Sequence, residues 1–412
     1  MNYLEKKVAI LGYGMEGQDA EKFLIKKGAI VTILDQKRDD NYLSSLKSYD
    51  TIVRSPGVYP YKHELLEASK SELKNLNVTT PTRIFFEEFK GKIIGVTGTK
   101  GKGTTSTLIY EILKSAGIDV YLAGNIGKSP LELLSNLNAE SIVVLEMSSF
   151  QLIDLPFSPN ISVVLNITSD HMDWHKNQDE YIDAKKNIVR FQKKTDFAVI
   201  NNEYESSKSF AKCTKAKVIY FSKKSLDEIY KKDLILRGEH NLENIGAAVA
   251  VAKILNIDNK IILDTVRKFK GLEHRLEFVK FFNGVGFFND SFATGPQPTI
   301  AAIKSFTESE TLILGGSDKG LDYNKLGDVI NKTKNVKNII LIGQIRDQIK
   351  KHIKSKEIYD LGTCNMNLIV KKAFEVSESG GVVILSPAAA SFDMFKDYKD
   401  RGNQFKEAVN NL

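Results

Sequence analysis

The chain is poor in the residues that mark secreted, metal-clustering and membrane-spanning proteins. It has two cysteines in 412 residues, Cys213 and Cys364, which lie far apart and in no metal-like spacing. Two isolated thiols fit a reducing compartment better than a disulfide framework. No run of 18 apolar residues occurs, so we expect no membrane-spanning helix and no membrane partner. The opening MNYLEKKVAILGYG enters a strand without a signal-peptide pattern, and we expect a cytoplasmic protein.

Arginine is also scarce, since lysines outnumber arginines 49 to 9 in a chain of formal net charge +7. Proteins that bind nucleic acids favour arginine forks and a basic stripe. The lysines here are scattered along the chain, as on an ordinary solvated surface. We therefore expect no nucleic-acid partner, and a mild positive field that would help to gather small anionic substrates.

What the chain does contain is a glycine-rich loop between an apolar run and a helical pattern, within residues 92–117. Backbone N–H groups of such a loop close on phosphate oxygens, and a lysine reaches the terminal phosphates. The loop predicts ATP or GTP binding, although a plain glycine turn is the alternative. Gly103 stands at the usual hydroxyl position, and the hydroxyl follows on Thr104. The candidate nucleotide-binding residues are Gly98, Thr99, Lys100, Gly101, Lys102, Gly103 and Thr104.

A second glycine motif, GYGMEG, covers residues 12–17 and lies between two predicted strands. The following strand ends on Asp35, about 20 residues further on, which completes a dinucleotide-binding fingerprint. Taken alone, the motif predicts an NAD-dependent oxidoreductase. Glu16, however, puts a negative charge where a pyrophosphate would lie.

Two strands after the phosphate loop end in polar residues, Glu146 on the first and the HMDWH sequence 171–175 on the second. Ligands of parallel sheets lie beyond the carboxyl ends of strands, so we expect Glu146 and His171 on the same edge as Lys102. A carboxylate there suits Mg²⁺. The alternatives for the histidines are a transition-metal site, such as zinc, and a capping or core histidine.

A helical pattern over residues 181–190 would turn Lys185 inward if Tyr181 faces inward. The sequence 271–275 (GLEHR) then interrupts the pattern and predicts a domain junction. Strands beyond it end in the polar clusters NDSFAT, GGSDK and SPAAASFD, which predicts a further α/β unit.

In this order the clusters resemble the Mur ligase family, the ATP-dependent amino-acid ligases of peptidoglycan synthesis. LEMSSFQL and SPAAASFDMFKDYKDRG are particular to its D-glutamate-adding branch. The resemblance covers essentially the whole chain and includes the following motifs: GYGMEG, RSPGV, GVTGTKGKGTT, AGNIG, LEMSSFQL, NITSDHMDWH, YIDAKK, GEHNLEN, GLEHRLE, NDSFAT, LGGSDKG and SPAAASFDMFKDYKDRG.

The resemblance implies an α/β protein of three domains. Residues 1–90 would form a Rossmann-like domain that binds the UDP-linked substrate, which overrides the NAD interpretation. Residues 91–270 would form a central P-loop-type ATPase domain with a parallel sheet. Residues 271–412 would form a Rossmann-like domain that binds glutamate. The implied reaction joins D-glutamate to UDP-N-acetylmuramoyl-L-alanine with ATP, through an acyl phosphate, in a monomeric enzyme.

The resemblance also implies roles for individual residues. The catalytic set is Lys102, Glu146, His171 and Lys185. Two Mg²⁺ ions would be held by Thr104, Glu146, His171 and a carbamylated Lys185. Besides the glycine loop, ATP would contact Asn244, Arg275 and Asp290. The UDP-linked substrate would contact Gly14, Asp35, Lys37, Gly57 and Asn125. Glutamate would contact Thr294, Lys319, Ser391 and Tyr398.

Three positions depart from the family pattern. Thr104 carries the hydroxyl one step late, Lys100 replaces an asparagine, and Phe292 replaces a lysine of the glutamate-adding branch. The alternatives that stay open are a relative adding L-glutamate or another amino acid, and a non-catalytic nucleotide-binding protein. Folylpolyglutamate synthase fits less well, because residues 1–90 suit a UDP-sugar.

Overall fold

The computed structural model describes residues 2–65, 77–354 and 356–412. Over these residues the strands form three sheets, and the predicted mixed α/β class is confirmed. The chain divides into two compact units. The first comprises Met1–Asp227 and Glu243–Thr265, and the second comprises Glu228–Leu242 and Val266–Leu412. The three-domain boundaries at residues 90 and 270 stay a prediction.

The first unit contains two parallel sheets. The described strands of the smaller sheet have the order β2-β1-β3-β4, and those of the larger sheet have the order β10-β9-β8-β5-β7-β6. Their bounds are β1 Lys7–Leu11, β2 Ile30–Leu34, β3 Thr51–Arg54, β4 Asn77–Thr79, β5 Lys92–Thr97, β6 Val120–Gly124, β7 Ile142–Glu146, β8 Ile161–Val164, β9 Phe197–Asn201 and β10 Lys217–Phe221.

The second unit contains one sheet whose described strands have the order β11-β12-β16-β13-β14-β15. β11 is antiparallel to β12, and the other pairs are parallel. The bounds are β11 Glu277–Phe282, β12 Val285–Asn289, β13 Glu310–Gly315, β14 Val336–Ile342, β15 Glu357–Gly362 and β16 Val382–Leu385.

Helices connect the parallel strands, as crossover connections require. Their bounds are Met15–Lys26, Pro81–Glu88, Lys102–Ser115, Pro130–Leu133, Ser149–Leu152, Gln178–Arg190, Glu205–Lys208, Glu239–Ile254, Asn259–Lys268, Pro296–Ile303, Asn324–Lys332, Arg346–Lys350, Met366–Val376 and Tyr398–Asn410. None of the helices within the described ranges combines the length and apolar composition needed to cross a bilayer.

Apolar spacing and capping residues explain why the helices next to the glycine loop form where they do. The helix Lys102–Ser115 buries Leu108, Ile109, Ile112 and Leu113 on one face. The helix Gln178–Arg190 begins after Asn177, whose side chain accepts a hydrogen bond from the Glu180 N–H group. A buried apolar core runs beneath both sheets of the first unit and includes residues from β1, β5 and β7. The carboxyl ends of β5, β7 and β8 are thereby held side by side.

Candidate active site

The glycine loop after β5 packs closely against an asparagine side chain at Gly101. Gly101 precedes the helix Lys102–Ser115 and has a φ of +86°, which L side chains rarely adopt. A Cβ atom on Gly101 would lie 2.3 Å from Oδ1 of Asn244. The same Oδ1 accepts a hydrogen bond from Thr105 Oγ1 at 3.1 Å. Asn244, a predicted ATP-site residue, therefore lies directly against the loop, and only glycine fits at position 101.

Two lysine amino groups converge on this loop. Lys102 Nζ donates to the carbonyl oxygens of Gly98 and Thr99, both at 3.1 Å. Lys185 Nζ donates to the same Gly98 oxygen at 3.1 Å and to Thr97 Oγ1 at 3.3 Å. The two side chains come from different helices, so the arrangement depends on the packing of both helices against β5. It concentrates hydrogen-bond donors at the carboxyl end of that strand.

Lys185 is buried, and the inward orientation expected from Tyr181 is confirmed: the two residues are 2% and 1% exposed. Burial lowers the pKa of Lys185 well below its usual value, and the neighbouring charge of Lys102 lowers it further. The negative charges of Asp170 and Glu146 act in the opposite direction. Lys185 is consequently an amine that gives up its proton more readily than a surface lysine.

The rest of the loop is anchored to the segment that follows β8. Thr99 Oγ1 accepts a hydrogen bond from the Thr168 N–H group at 2.8 Å and lies 3.0 Å from the Tyr181 hydroxyl. The Lys100 N–H group donates to Asn166 Oδ1 at 2.9 Å, and Lys100 Nζ lies 3.6 Å from Asp170. Gly103 and Thr104 lie in the first turn of the helix Lys102–Ser115 and are partly buried.

Glu146 ends β7, and its Cα is in register with Val96 of β5. Its side chain is largely buried, at 8% exposure for the residue. The neighbouring strand β6 ends at Gly124, whose φ is +107°, and a Cβ there would lie 2.2 Å from the Glu146 carbonyl oxygen. Asn125 follows in an exposed turn. Glu146 and Asn125 thus lie at the same edge of the sheet as the glycine loop.

The histidines of the 171–175 segment have separate environments. His171 has a φ of +56°, is about half exposed, and its ring centroid lies 4.8 Å from that of Phe150. His175 is buried, with Nε2 2.9 Å from Ser149 Oγ and Nδ1 3.3 Å from Glu180 Oε1. Within residues 2–65, 77–354 and 356–412, no group of three His, Cys, Asp or Glu residues could hold a metal ion. Both ring nitrogens of His175 are engaged, by Ser149 and Glu180, and the zinc alternative stays untested.

In the GYGMEG loop, the backbone conformation requires glycine at positions 12 and 17, but not at position 14. Gly12 has a φ of +80°, and a Cβ on Gly17 would lie 2.3 Å from the Gly12 carbonyl oxygen. Gly14 precedes the helix Met15–Lys26, is exposed, and has open space where a Cβ would stand. The loop therefore leaves room above Gly14.

Asp35 stabilises the GYGMEG loop from the end of β2. Its carboxylate accepts hydrogen bonds from the N–H groups of Tyr13 at 2.6 Å and Lys37 at 2.8 Å. These two bonds lower the pKa of Asp35. Glu16 lies nearby in the first helical turn: its Oε1 accepts from Gln151 Nε2 at 2.7 Å, while its buried Oε2 has no hydrogen-bond partner among the residues that the structure describes. Burial raises the pKa of Glu16 to about 7.

In the second unit, three loops follow the adjacent strands β12, β16 and β13. The loop after β12 carries Asp290 and Thr294, the loop after β16 carries Ser391, and the loop after β13 carries Lys319. Asp290 is buried and accepts hydrogen bonds from the Leu276 N–H group at 3.1 Å and Ser386 Oγ at 2.7 Å. Burial raises its pKa to about 7. Lys319 is exposed and Ser391 is buried.

Phe292, the departure from the lysine of the family pattern, contacts a different cation. The Arg275 guanidinium lies 3.9 Å from the centroid of the Phe292 ring. Tyr398 begins the helix Tyr398–Asn410, and its ring lies 5.0 Å from that of Phe292 in a T-shaped arrangement. Attraction between a guanidinium and an aromatic face stabilises this position of Arg275.

Sequence reasoning missed two buried arginines that hold the loops in place. Arg54 forms a paired salt bridge with Asp154, at 3.0 and 2.7 Å, and also donates to the Val58 carbonyl oxygen at 2.6 Å. Arg401 donates to Ser291 Oγ at 2.9 Å and to the carbonyl oxygen of Ala389 at 3.1 Å. Both residues stand inside motifs, RSPGV and YKDRG, which was the available signal.

Comparisons with known proteins show which family the chain resembles. The Mur ligase middle domain matches residues 96–252. A UDP-N-acetylmuramoylalanine--D-glutamate ligase of Acetivibrio thermocellus is 37% identical, covering 99% of this chain and 97% of that protein. A protein of the same name from Clostridioides difficile is also 37% identical, covering 100% of both chains.

Solved structures show the same fold at lower identity. The MurF ligase of Thermotoga maritima, in complex with ADP, has a TM-score of 0.60 at 18% identity, covering 99% of this chain and 96% of that one. The UDP-N-acetylmuramate-alanine ligase MurC of the same organism has a TM-score of 0.59 at 16% identity, covering 99% and 100%. The full-length identity to the two D-glutamate ligases and the matched middle domain together establish that this chain belongs to the Mur ligase family.

Proposed function

We propose that this protein is an ATP-dependent ligase that joins D-glutamate to UDP-N-acetylmuramoyl-L-alanine, in the assembly of peptidoglycan precursors. The glycine loop with Lys102 Nζ directed at the carbonyl oxygens of Gly98 and Thr99 is the observation that carries the proposal, because it puts a cationic donor where a triphosphate would lie. The relatives that bear the name of this activity match the chain from end to end.

The reaction would proceed in two steps. An oxygen of the L-alanyl carboxylate attacks the γ-phosphorus of ATP, the bond from that phosphorus to the bridging oxygen breaks, and ADP leaves. The amine of glutamate then attacks the acyl phosphate at its carbonyl carbon, and phosphate leaves with the bonding electron pair as the amine proton is lost. Lys102 would turn from the loop carbonyls to the γ-phosphoryl oxygens and stabilise the charge that develops there.

Mg²⁺ would be held by residues that follow neighbouring strands. Thr104 and Glu146 offer the hard oxygen donors that this ion prefers, and we assign them to a first ion. His171 and a carbamylated Lys185 would hold a second ion. Bound Mg²⁺ supplies charge neutralisation for the transferring phosphoryl group.

Carbamylation of Lys185 is consistent with its surroundings. Only a neutral amine attacks carbon dioxide, and burial lowers the pKa of this side chain well below its usual value. The product, a carbamate, carries a negative charge like a carboxylate. It would therefore place a metal-binding oxygen pair beside Thr97 and Gly98, where the amine now lies.

The remaining residues are assigned to the other substrates. Asn244 would contact ATP with the glycine loop, and Arg275 and Asp290 are assigned to ATP as well. The proposed contacts of the UDP-linked substrate are Gly14, Asp35, Lys37, Gly57 and Asn125. The proposed contacts of glutamate are Thr294, Lys319, Ser391 and Tyr398. The proposal includes three domains, 1–90, 91–270 and 271–412, in a monomeric enzyme. A cytoplasmic location is proposed because the reaction consumes ATP and a nucleotide-linked sugar.

A mass-spectrometric product assay tests the function. The protein is incubated with ATP, Mg²⁺ and UDP-N-acetylmuramoyl-L-alanine, with D-glutamate and L-glutamate in parallel reactions. The proposal predicts a D-glutamate adduct and one ADP for each product. An L-glutamate adduct alone would keep the chemistry and change the amino acid. Binding of ATP without any adduct would contradict a catalytic role.

A further inference from the structure

Two loops of the first unit contact each other through the only tryptophan of the chain. The loop after β3 covers residues 55–59, and the loop after β8 includes residues 171–175. Trp174 Nε1 donates a hydrogen bond to the Gly57 carbonyl oxygen at 3.1 Å. The Trp174 ring centroid lies 5.1 Å from that of Tyr59, in a T-shaped arrangement. The indole thus belongs to the loop after β8 and packs against the loop after β3.

A chain of polar contacts runs beside this indole. The Tyr59 hydroxyl donates to Glu180 Oε2 at 2.8 Å, and Glu180 Oε1 lies 3.3 Å from His175 Nδ1. His175 Nε2 lies 2.9 Å from Ser149 Oγ. The contacts connect residues 55–59 with the helix Gln178–Arg190, the 171–175 segment and the segment after β7.

The charges in this chain of contacts are settled by its surroundings. Burial would raise the pKa of Glu180, but hydrogen bonds from Tyr59, from the Lys176 N–H group and from His175 together lower it. Burial lowers the pKa of His175, against the opposing effect of Glu180. A neutral imidazole that donates from Nδ1 to the Glu180 carboxylate and accepts the Ser149 hydroxyl proton on Nε2 satisfies every member.

The loop at residues 55–59 is also fixed at its base. Arg54 donates to the carbonyl oxygens of Ser55 at 3.2 Å and Val58 at 2.6 Å, and its salt bridge to Asp154 holds the guanidinium in place. Gly57 itself is exposed, and no described residue lies within 4 Å of the place where a Cβ on it would stand. With the base held by Arg54 and the Gly57 carbonyl held by Trp174, the position of this loop depends directly on the 171–175 segment.

The same indole supports His171 through an aromatic neighbour. The Phe150 ring centroid lies 4.4 Å from that of Trp174 and 4.8 Å from that of His171. His171 has a φ of +56°, a conformation that non-glycine residues adopt only when their surroundings hold them there. Packing of Phe150 between the two rings provides part of that support.

We propose that Trp174 is a positioning residue, which couples the loop that contacts the UDP-linked substrate to the loop that carries His171. The inference rests on the proposed function, since it takes Gly57 as a substrate contact and His171 as a residue of the reaction centre. Binding of the UDP-linked substrate at residues 55–59 fixes the indole, and the indole with Phe150 then fixes His171. ATP is assigned to the glycine loop at residues 98–104 and has no assigned contact with the indole.

Fluorescence of the single tryptophan tests this coupling in the wild-type protein, without turnover and without a variant. UDP-N-acetylmuramoyl-L-alanine is added in the absence of ATP, and ADP with Mg²⁺ is added in a separate titration. We expect a saturable change in Trp174 emission with the UDP-linked substrate and a much smaller one with ADP. No change with the UDP-linked substrate, in protein that forms the product, would overturn the inference and leave the function standing.

Steady-state kinetics of Trp174→Phe provide the second test. Phenylalanine keeps a ring against Phe150 but removes the indole N–H donor. We expect KM for the UDP-linked substrate to rise about fivefold to tenfold, as for the loss of one hydrogen bond with its packing, while KM for ATP changes less than twofold. Equal changes in both KM values, or none, would contradict the coupling.

Two further variants complete the design. Tyr59→Phe removes the donor to Glu180 and is expected to raise the same KM by a smaller factor, and it remains informative if Trp174→Phe does not fold. Tyr220→Phe, on the exposed face of the edge strand β10, is the matched control and should leave both KM values unchanged. Absence of product from the wild-type protein would contradict the proposed function rather than the coupling.

Discussion

Two glycine loops of the first unit share one shape and differ in charge. Both follow a parallel strand and precede a helix, and both contain a glycine with positive φ, Gly12 at +80° and Gly101 at +86°. The loop at residues 12–17 is bordered by the carboxylates Asp35 and Glu16. The loop at residues 98–101 is bordered by the amino groups of Lys102 and Lys185.

Charge, rather than the glycine pattern, decides which ligand such a loop suits. Asp35 accepts the Tyr13 N–H group, so a donor of the first loop is already used by the protein itself. A carboxylate at this position suits hydroxyl groups of a ribose or sugar. In the second loop, by contrast, the Lys102 amino group lies against the loop, as expected of a lysine that binds a triphosphate. The fingerprint at residues 12–17 predicted a dinucleotide with Asp35 counted as the acid that binds a ribose, and membership of the Mur ligase family, rather than the motif itself, replaces that interpretation.

The largest effect should come from removing the cation of the second loop. We expect Lys102→Ala to lower kcat/KM by roughly 10²–10³, because an electrostatic contact to the developing phosphoryl charge is lost. The assay is ADP release under saturating amino acid. Lys114→Ala, an exposed position in the last turn of the same helix, is the matched control. Similar activities of the two variants would show that the charge of Lys102 does not stabilise the phosphoryl group.

Lys185 should show opposite effects on activity and stability. Lys185→Met keeps an unbranched side chain, one atom shorter, but removes a buried amine whose pKa is lowered by burial. We expect the thermal midpoint to stay equal or rise, while activity falls by about 10²-fold or more because the proposed carbamate cannot form. Lys186→Met, the adjacent position on the same helix, controls for the loss of charge. Retained activity of Lys185→Met would rule out the metal-binding role.

Carbamylation itself can be measured separately from activity. After equilibration with ¹³C-bicarbonate, the wild-type protein should show a carbamate carbon resonance that Lys185→Met lacks. A resonance of equal intensity in both proteins would place the modification elsewhere.

A smaller and pH-dependent effect should come from Glu16 in the first loop. Its pKa is raised from 4.5 to about 7 in the folded protein, so the folded state keeps a proton that the unfolded state releases between these values. The contribution of this proton to the free energy of unfolding is fully present below pH 4.5, falls as the pH rises and is lost above about pH 7. Glutamine does not titrate, so Glu16→Gln does not lose this contribution. The free energy of unfolding of the variant, relative to the wild type, should therefore rise by roughly 2 kcal/mol from pH 5 to pH 8, at about 1.4 kcal/mol per pKa unit.

Unfolding midpoints at the two pH values provide that measurement. Glu140→Gln, an exposed position in the same unit, is the control and should show no pH-dependent difference. A pH-independent difference for Glu16→Gln would mean that Glu16 is ionised in the folded protein throughout this range.

The sequence predicted what depends on local pattern. The strand predicted just before Asp35 forms as Ile30–Leu34, and the strand predicted to lead into Glu146 forms as Ile142–Glu146. The inward side of Lys185 followed from its spacing to Tyr181. Periodicity carries this information because a buried face repeats with the helix or strand.

Long-range polar contacts could not be predicted in the same way. Arg54 finds Asp154 one hundred residues away, and His175 turns to Ser149 and Glu180 rather than joining His171. Each contact depends on the order of strands in the sheet and on loops that meet only after folding. The sequence marked Phe292 as a lost cation, whereas the structure places Arg275 against its ring.

The central claim, that the two loops take different nucleotides because of their charge, is tested most directly by a crossed binding measurement. Gly14→Asp and Lys102→Ala are each titrated calorimetrically with UDP-N-acetylmuramoyl-L-alanine and with ADP and Mg²⁺. Gly14 tolerates a side chain, since it has ordinary φ and open space, and aspartate is a favoured residue before a helix. We predict that Gly14→Asp weakens only the UDP-linked substrate and Lys102→Ala weakens only ADP. Weaker binding of both ligands by either variant would contradict this prediction. So would weaker ADP binding by Gly14→Asp or weaker binding of the UDP-linked substrate by Lys102→Ala.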